Sequence, residues 1–282
     1  MKVLKTPQEW AKVRIEILAG GQSIGFVPTM GALHVGHMEL VKASLKKCDF
    51  TIVSIFVNPT QFNNPKDFET YPKTLENDLK LLKESGVHAV FAPSTKTMYP
   101  TESEMALSFG SLENVLEGKY RPGHFSGVGL VVSKLFNLVK PQTAFFGQKD
   151  LQQIAVIKRL VADLSFQIQI EVVPTKREAD GLAYSSRNVR LSDAERKTAL
   201  ILFDSLSKAK KELLDGQEWF AVRQNIEKDF QSSADTKLEY FDLVHPESFK
   251  LYSSFDSSQK SSICVAANVG DVRLIDNLPV ID

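Results

Sequence analysis

Apolar residues in the first 175 positions alternate between short continuous runs and spacings of three to four residues. The continuous runs, rich in β-branched residues, are typical of parallel strands buried on both faces, and the spaced positions predict amphipathic helices. The predicted strands are 24–27, 50–57, 88–91, 143–146 and 166–173. The predicted helices are 7–18, 34–45, 75–85, 125–139 and 151–164. Strands that alternate with helices predict an α/β fold, a parallel sheet with helices on both faces.

The last hundred or so residues have a different order of elements. Helical spacing over 193–214 and 219–230 precedes strand-like runs at 237–244, 263–268 and 272–275. Helices followed by strands predict an α+β unit, with an antiparallel sheet as one possibility. We therefore predict a Rossmann-like doubly wound domain over 1–176 and a small C-terminal α+β lid domain over 177–282. The polar stretches 58–72 and 93–123 contain proline or glycine and are predicted to be irregular.

The turn after the first of these strands carries the strongest chemical signal, PTMGALHVGH over residues 28–37. A helix N-terminus presents unpaired N–H groups and a positive dipole end, which attract phosphate. His34 and His37 are one helical turn apart, so both imidazoles can point the same way. Gly31 permits a positive φ, and Gly36 permits close approach of a ligand. Two surface histidines or a zinc site are the alternatives, but zinc metalloproteases space their histidines as H-E-x-x-H.

Other polar residues lie where strands end, at 58–62 and 147–153. In open α/β sheets, ligands bind at the carboxyl ends of the strands. A further cluster, 180–188, contains Ser185, Ser186 and Arg187. Hydroxyls beside an arginine could form a mobile phosphate clamp, because arginine binds phosphate oxygens through a planar fork. Taken alone, however, this cluster is better explained as a turn with a helix cap.

Charge and composition narrow the function classes. Lys+Arg and Asp+Glu both number 34, which argues against general binding to nucleic acid or membrane surfaces. Cys48 and Cys264 follow no metal or redox spacing, which favours reduced thiols in a cytoplasmic protein. Residues 6–9 resemble a capping box with proline at the first helical position, so we interpret the N-terminus as a helix start rather than a targeting signal. No apolar run approaches the roughly 18 residues of a membrane span.

Segments along almost the whole chain resemble the pantoate–β-alanine ligase (pantothenate synthetase) family. They are PTMGALHVGH, SIFVNPTQF, YPKT, RPGHF, FFGQKDLQQ, READGLAYSSRN and DNLPV. The H-x-G-H element is shared with nucleotidylyltransferases and class I aminoacyl-tRNA synthetases and by itself indicates only adenylyl transfer. The SIFVNPTQF and FFGQKD segments narrow the resemblance to this family.

The resemblance implies a cytoplasmic, homodimeric, ATP- and Mg²⁺-dependent ligase that joins pantoate to β-alanine through a pantoyl adenylate. It implies catalytic roles for His34, His37, Lys149 and Arg187, and a magnesium ligand in Asp150. The implied ATP-binding residues are Met30, Gly31, Ala32, Leu33, His34, Val35, Gly36, His37, Gly147, Gln148, Lys149, Asp150, Lys176, Tyr184, Ser185, Ser186 and Arg187. The implied residues for pantoate and β-alanine are Asn58, Gln61, Arg121, His124 and Gln153.

Two positions depart from the family pattern. Gln148 stands where the family usually has glutamate, and Tyr184 where it has methionine or leucine. Neither change removes a phosphate-binding charge. Two other hypotheses remain. The first is a different adenylyl transferase on the same scaffold, which predicts a changed pocket at Gln61 and Gln153. The second is a non-catalytic nucleotide sensor, which could do without His37 or Lys149.

Overall fold

The computed structural model describes residues 1–63 and 65–281, without the side chains of residues 65 and 66. A six-stranded parallel sheet has the order β1-β4-β3-β2-β5-β6. Its strands are β1 (Lys2–Leu4), β2 (Ile24–Thr29), β3 (Phe50–Ile55), β4 (Ala89–Phe91), β5 (Thr143–Gly147) and β6 (Gln169–Val173). The predicted α/β class is confirmed. The edge strand β1 was not predicted, because three residues are too few to show a pattern.

Helices follow the strands, as predicted. They are α1 (Pro7–Ala19), α2 (Val35–Lys47), α3 (Pro65–Glu69), α4 (Leu75–Glu84), α5 (Thr95–Met98), α6 (Leu116–Tyr120), α7 (His124–Val139) and α8 (Leu151–Asp163). The irregular structure predicted for 58–72 and 93–123 is wrong in part, because these stretches contain α3, α5, α6 and two 3₁₀ turns. Elements of four or five residues are too short to show a helical repeat of apolar positions.

The order of the strands reverses at β2. The chain moves from β2 to β3 and β4 on one side, and then crosses to β5 on the other side of β2. Such a reversal leaves a crevice outside the carboxyl ends of the strands, which is the usual ligand site of open α/β sheets. The predicted phosphate-binding turn follows β2 directly and leads into α2.

Residue contacts group the chain into two compact units. The first comprises 1–147 and 156–174, and the second comprises 148–155 and 175–282. A short segment at the start of α8 therefore belongs to the second unit, although it lies within the first predicted domain. The domain boundary after residue 176 stays a prediction.

The second unit has the α+β composition that the sequence predicted. Its helices are α9 (Asp193–Thr198), α10 (Leu200–Leu214) and α11 (Trp219–Ser232), and its strands are β7 (Thr236–Val244), β8 (Ser261–Val269) and β9 (Val272–Ile281). The strands form an antiparallel sheet in the order β7-β8-β9, which confirms the antiparallel alternative. The helix predicted over 193–214 is divided at Ala199. Over the described ranges, no helix is long and apolar enough to cross a membrane.

Candidate active site

His34 and His37 cap the N-terminus of α2 reciprocally. His34 Nδ1 accepts a hydrogen bond from Gly36 N–H at 3.1 Å, and His37 Nδ1 accepts one from His34 N–H at 3.3 Å. The ring centroids are 4.1 Å apart. Because an Nδ1 that accepts a backbone N–H carries no proton, the neutral form of each ring carries its proton on Nε2. The caps therefore select the tautomer in which each Nε2 is a donor, the role that a phosphate oxygen requires.

The backbone that enters this turn is held by a buried carboxylate on α4. Asp78 Oδ2 accepts from Ala32 N–H at 3.0 Å, and Oδ1 accepts from Leu33 N–H at 2.9 Å. Gly31 has a φ of 84°, and a Cβ added there would lie 3.1 Å from Asp78 Oδ2. Glycine at position 31 thus provides both the left-handed conformation and the space for Asp78.

Asn58 is buried after β3, and both ends of its amide are engaged within the protein. Its Nδ2 donates to Gln61 Oε1 at 3.1 Å and to Gly127 O at 3.2 Å. Its Oδ1 accepts from Tyr99 O–H at 2.9 Å and from Thr60 N–H and O–H. Burial raises the pKa of Tyr99, so this phenol stays a donor. Asn58 was predicted to bind substrate, but these bonds suit it better to orienting Gln61.

Gln61 is buried next to the turn that precedes α2. Its Nε2 donates to the Met30 sulfur at 3.1 Å, and its Oε1 accepts from Asn58. A thioether is a weak acceptor, so the donor end of the amide is only weakly engaged by this contact. The structure thereby brings together a residue predicted to bind ATP, Met30, and one predicted to bind pantoate, Gln61.

A row of polar side chains also reaches the backbone of Gln61. His124 Nδ1 lies 2.9 Å from Gln61 O, and a carbonyl can only accept, so Nδ1 carries the proton. His124 Nε2 then accepts from Arg121 Nη1 at 3.1 Å, and the same Nη1 lies 3.3 Å from Glu117 Oε2. Glu117 and His124 are both buried. Arg121 and His124 therefore join Gln61 and Asn58 in a single network within the first unit.

The second unit holds the predicted lysine and magnesium ligand on a 3₁₀ turn, Gln148–Asp150, that leads into α8. Lys149 Nζ lies 3.9 Å from Asp150 Oδ1, and the Asp150 side chain is about half exposed, at 49%. No group of three or more His, Cys, Asp or Glu side chains that could hold a metal occurs in the described part of the chain. A single half-exposed carboxylate suits an Mg²⁺ ion whose other ligands are mostly phosphates and water. It does not suit an ion that is enclosed entirely by protein ligands.

The predicted clamp, Ser185 to Arg187, lies on an ordered turn of the second unit. Ser185 Oγ accepts from Arg187 N–H at 3.2 Å. Tyr184 N–H donates to Lys176 O at 3.1 Å, so two further residues predicted to bind ATP are neighbours. The turn predicted as the alternative to a clamp is thus present. It does not exclude phosphate binding, because a hydroxyl that accepts one hydrogen bond can still donate another.

The predicted site residues divide between the two units. The first unit holds residues 30–37, Asn58, Gln61, Arg121, His124 and Gly147. The second unit holds Gln148, Lys149, Asp150, Gln153, Lys176, Tyr184, Ser185, Ser186 and Arg187. The roles assigned to them individually stay predictions.

Comparison with known proteins identifies the family. A family model described as pantoate-beta-alanine ligase matches residues 2–279. The chain belongs to the pantoate–β-alanine ligase family.

Curated members of the pantoate–β-alanine ligase family match over most of their length. The pantothenate synthetase of Leptospira biflexa serovar Patoc is 49% identical over 258 residues, which cover 91% of this chain and 90% of that protein. That of Azobacteroides pseudotrichonymphae is 46% identical over 281 residues, 99% of each chain.

Solved structures of the family have the same fold. The pantothenate synthetase of Thermus thermophilus has a TM-score of 0.93 and 39% identity, with 100% of both chains covered. The pantoate-β-alanine ligase of Francisella tularensis, solved in complex with β-γ ATP and β-alanine, has a TM-score of 0.82 and 37% identity. That match covers 99% of this chain and 98% of the other.

Sequence reasoning missed several polar residues that support the site of this family member. They are Asp78, Tyr99, Glu117 and Asn277. Each bonds to a predicted site residue or its immediate neighbour. Asn277 lies within DNLPV, and Asp78 lies four positions after the end of YPKT; both segments carry the family resemblance. That proximity was the only available signal, because a single aspartate or asparagine otherwise predicts a cap or a turn.

Proposed function

We propose that the protein condenses (R)-pantoate with β-alanine, using ATP, to give pantothenate, AMP and diphosphate through a pantoyl adenylate. One observation carries the proposal: in a chain that matches the ligase family over residues 2–279, the H-x-G-H turn forms a helix N-terminus in which each histidine Nδ1 accepts a backbone N–H. The neutral form of each ring then carries its proton on Nε2. This arrangement provides hydrogen-bond donors and no nucleophile, which suits transfer of an adenylyl group to an external carboxylate.

In the first step, the pantoate carboxylate attacks the α-phosphorus of ATP, and diphosphate leaves. No base is needed, because the carboxylate is already ionised near pH 7. His37 Nε2–H donates to the negative charge that grows at the α-phosphate, and His34 binds the neighbouring phosphate oxygens. Pre-formed caps keep both rings oriented, so little reorganisation is needed when the charge develops.

The β- and γ-phosphates, the part of ATP that leaves, are bound by Lys149, Arg187, Ser185 and Ser186. Asp150 is the carboxylate that would hold Mg²⁺, which when bound neutralises phosphate charge. The separation of 3.9 Å between Lys149 Nζ and Asp150 Oδ1 supports this assignment, because a cation and a metal ligand then lie side by side.

Gln61 and Gln153 bind pantoate, whose two hydroxyls and carboxylate suit amides that both donate and accept. Asn58 and His124 act mainly by holding Gln61, since each bonds to it directly. In the second step, the amine of β-alanine attacks the activated carbonyl and displaces AMP, which forms the amide.

The family resemblance also supports a homodimer and a cytoplasmic location. Cys48 and Cys264 are both buried thiols outside any disulfide, as expected for a reducing compartment. Burial raises the pKa of Cys48, which keeps it a thiol and lowers its reactivity. Light scattering of the purified protein tests the dimer.

Isotope exchange between diphosphate and ATP, with β-alanine withheld, tests the reaction. We expect exchange that requires both pantoate and Mg²⁺, because the adenylate forms before the amine reacts. Exchange that appears only with β-alanine would contradict the two-step mechanism. No exchange with any carboxylic acid would favour a nucleotide sensor instead.

A further inference from the structure

Asn277 on β9 holds the backbone of the Lys149 turn. Its Nδ2 donates to Lys149 O at 2.8 Å and to Gln148 O at 3.0 Å. Asn277 is 128 positions from Lys149 and 129 positions from Gln148 in the sequence, but all three residues belong to the second unit. The Asn277 side chain is buried, so water does not readily replace these bonds. One nitrogen with two N–H groups therefore fixes two successive carbonyls of the turn.

Asn277 is itself held by an ion pair between Arg177 and Asp276. The guanidinium contacts both carboxylate oxygens, at 2.6 Å from Nη1 and 3.0 Å from Nη2. Asp276 Oδ1 also accepts from Asn277 N–H at 2.8 Å, and Arg177 Nη2 donates to Asn277 O at 3.2 Å. Both backbone polar groups of Asn277 are thus tied to the pair, which restricts where its side chain can lie.

The same arginine also holds the turn that leads to the proposed phosphate clamp. Arg177 Nη1 donates to Gly181 O at 3.1 Å, and the guanidinium lies over the Phe203 ring at 4.3 Å. Gly181 has a φ of 97°, and a Cβ there would lie 2.1 Å from Phe203 Cδ1. Both Nη atoms of Arg177 are therefore occupied by protein acceptors, which makes a structural role more suitable for it than phosphate binding.

We propose that Asn277 is a positioning residue for Lys149, and that the Arg177–Asp276 pair holds Asn277 and the Gly181 turn in one frame. The proposal rests on the phosphate-binding role of Lys149 in the proposed function. Without Asn277, two carbonyls lose their donor and the turn can shift. A shift of about 1 Å in a group that orients a reacting phosphate can cost on the order of a hundredfold in rate.

The test compares Asn277→Ala with Asn268→Ala. Asn268 lies on β8 of the same sheet, and its Nδ2 donates to Glu239 Oε1 at 3.1 Å, so the control loses an equal side chain and a side-chain bond. Diphosphate–ATP exchange gives kcat and the KM values for ATP and pantoate. We expect Asn277→Ala to lower kcat by about ten- to a hundredfold, with the pantoate KM changed by less than about threefold. Asn268→Ala should change both by less than about threefold.

A double-mutant cycle distinguishes positioning from general loss of stability. If Asn277 acts through Lys149, Asn277→Ala should lower the exchange rate by less than about threefold in a Lys149→Ala background. The full loss in that background, or no loss in the single variant, would overturn the proposal. If Asn277→Ala does not fold, Arg177→Lys takes its place in the cycle, since it keeps the charge beside Asp276 but loses the fork.

Failure of this inference is distinguishable from failure of the proposed function. A wild-type protein without pantoate-dependent exchange would contradict the function itself. Normal exchange in the wild type, together with an additive effect of Asn277→Ala, would contradict only the positioning role. Normal exchange in Lys149→Ala would remove the residue through which Asn277 is proposed to act, and would also overturn the inference.

Discussion

The two segments to which we assign the ATP phosphates are held in place in different ways. In the His34–His37 turn, the capping bonds join residues two or three positions apart. In the Lys149 turn, the fixing bonds come from Asn277, 128 residues from Lys149. The first arrangement can form as soon as the helix starts, whereas the second needs the C-terminal sheet to be folded.

This difference explains why the His34–His37 turn is easier to recognise from the sequence than the bonds that hold the Lys149 turn. A cap depends on residues within one helical turn, so its pattern is visible in a short stretch of chain. Even so, the backbone before His34 depends on Asp78, which is 45 positions from Leu33. Local bonds therefore orient the rings, and distant ones fix the loop that carries them.

The largest loss of activity is expected at His37, because this residue is both a helix cap and the proposed donor to the α-phosphate. His37→Ala should lower the adenylation rate by about a hundredfold or more, as when a pre-formed donor to transition-state charge is lost. His37→Glu keeps an acceptor suited to the reciprocal cap at this helix position but offers no N–H donor to a phosphate. We expect thermal stability to recover in the glutamate variant while activity stays low. Recovery of activity together with stability would mean that His37 acts only as a cap.

Lys149→Ala and Arg187→Ala extend the comparison to the second unit. Each should also lower the single-turnover rate of adenylation by about a hundredfold or more, while circular dichroism shows a folded protein. Near-normal rates in both variants would refute the phosphate-binding roles assigned to the second unit and leave the His34–His37 turn as the remaining candidate.

Gln61→Ala tests whether the network beside the His34–His37 turn serves pantoate or ATP. Losing a buried hydrogen-bond partner costs ~1–3 kcal/mol, about tenfold to a hundredfold in pantoate use. ATP affinity, measured by titration calorimetry, should stay within a few-fold. An equal weakening of pantoate use and ATP affinity would show that our assignment of Gln61 to pantoate alone is wrong.

Asp78→Asn tests the distant support of the turn. An amide offers one acceptor oxygen where the carboxylate offers two, so Ala32 or Leu33 N–H loses its partner. We expect the free energy of unfolding, measured in urea, to fall by about 1–3 kcal/mol. Asp215→Asn, an exposed position at the end of α10, makes the same chemical change and serves as the control. An equal change in both variants would show that Asp78 has no special role.

Gln148→Glu should have a small effect. The structure gives position 148 a backbone role, because Gln148 O accepts from Asn277, and this bond does not depend on the side chain at 148. We expect kcat/KM for adenylation to change by less than about tenfold, or about 1.4 kcal/mol. A much larger gain would show that a carboxylate at this position takes part directly in catalysis in the family.

The smallest effect is expected at His88, outside both segments. Its Nδ1 accepts from Thr51 N–H at 2.9 Å, and burial, followed by the nearby N-terminal charge, lowers its pKa from the ordinary value of 6.5. The unfolded chain therefore takes up a proton at a higher pH than the folded protein does. The stabilisation is present above about pH 6.5 and is lost as the pH falls below it.

Because His88 is an exposed residue, screening by solvent should keep this loss small. Thermal unfolding at a series of pH values, compared between the wild type and His88→Gln, measures it. A steeper fall in the glutamine variant than in the wild type would contradict the assigned direction.

The sequence alone determined the α/β alternation, the order of helices before strands in the second unit, and the His34–His37 turn at a helix start. Each depends on periodicity or on neighbours a few residues apart, because burial patterns and caps are properties of short segments. The family, read from segments such as SIFVNPTQF, was confirmed by the match over residues 2–279. The roles of individual site residues, including Gln153 and Lys176, stay predictions.

Only the tertiary structure decided which residues support the site. The predicted site residues that Asp78, Tyr99 and Asn277 bond to lie from 41 to 129 positions away from them, and no local pattern specifies such pairs. The edge strand β1 likewise exists because β4 offers it hydrogen bonds, not because three residues prefer the extended state. Long-range bonds of this kind form only when the whole chain has brought distant segments together, which is why their residues looked ordinary in the sequence.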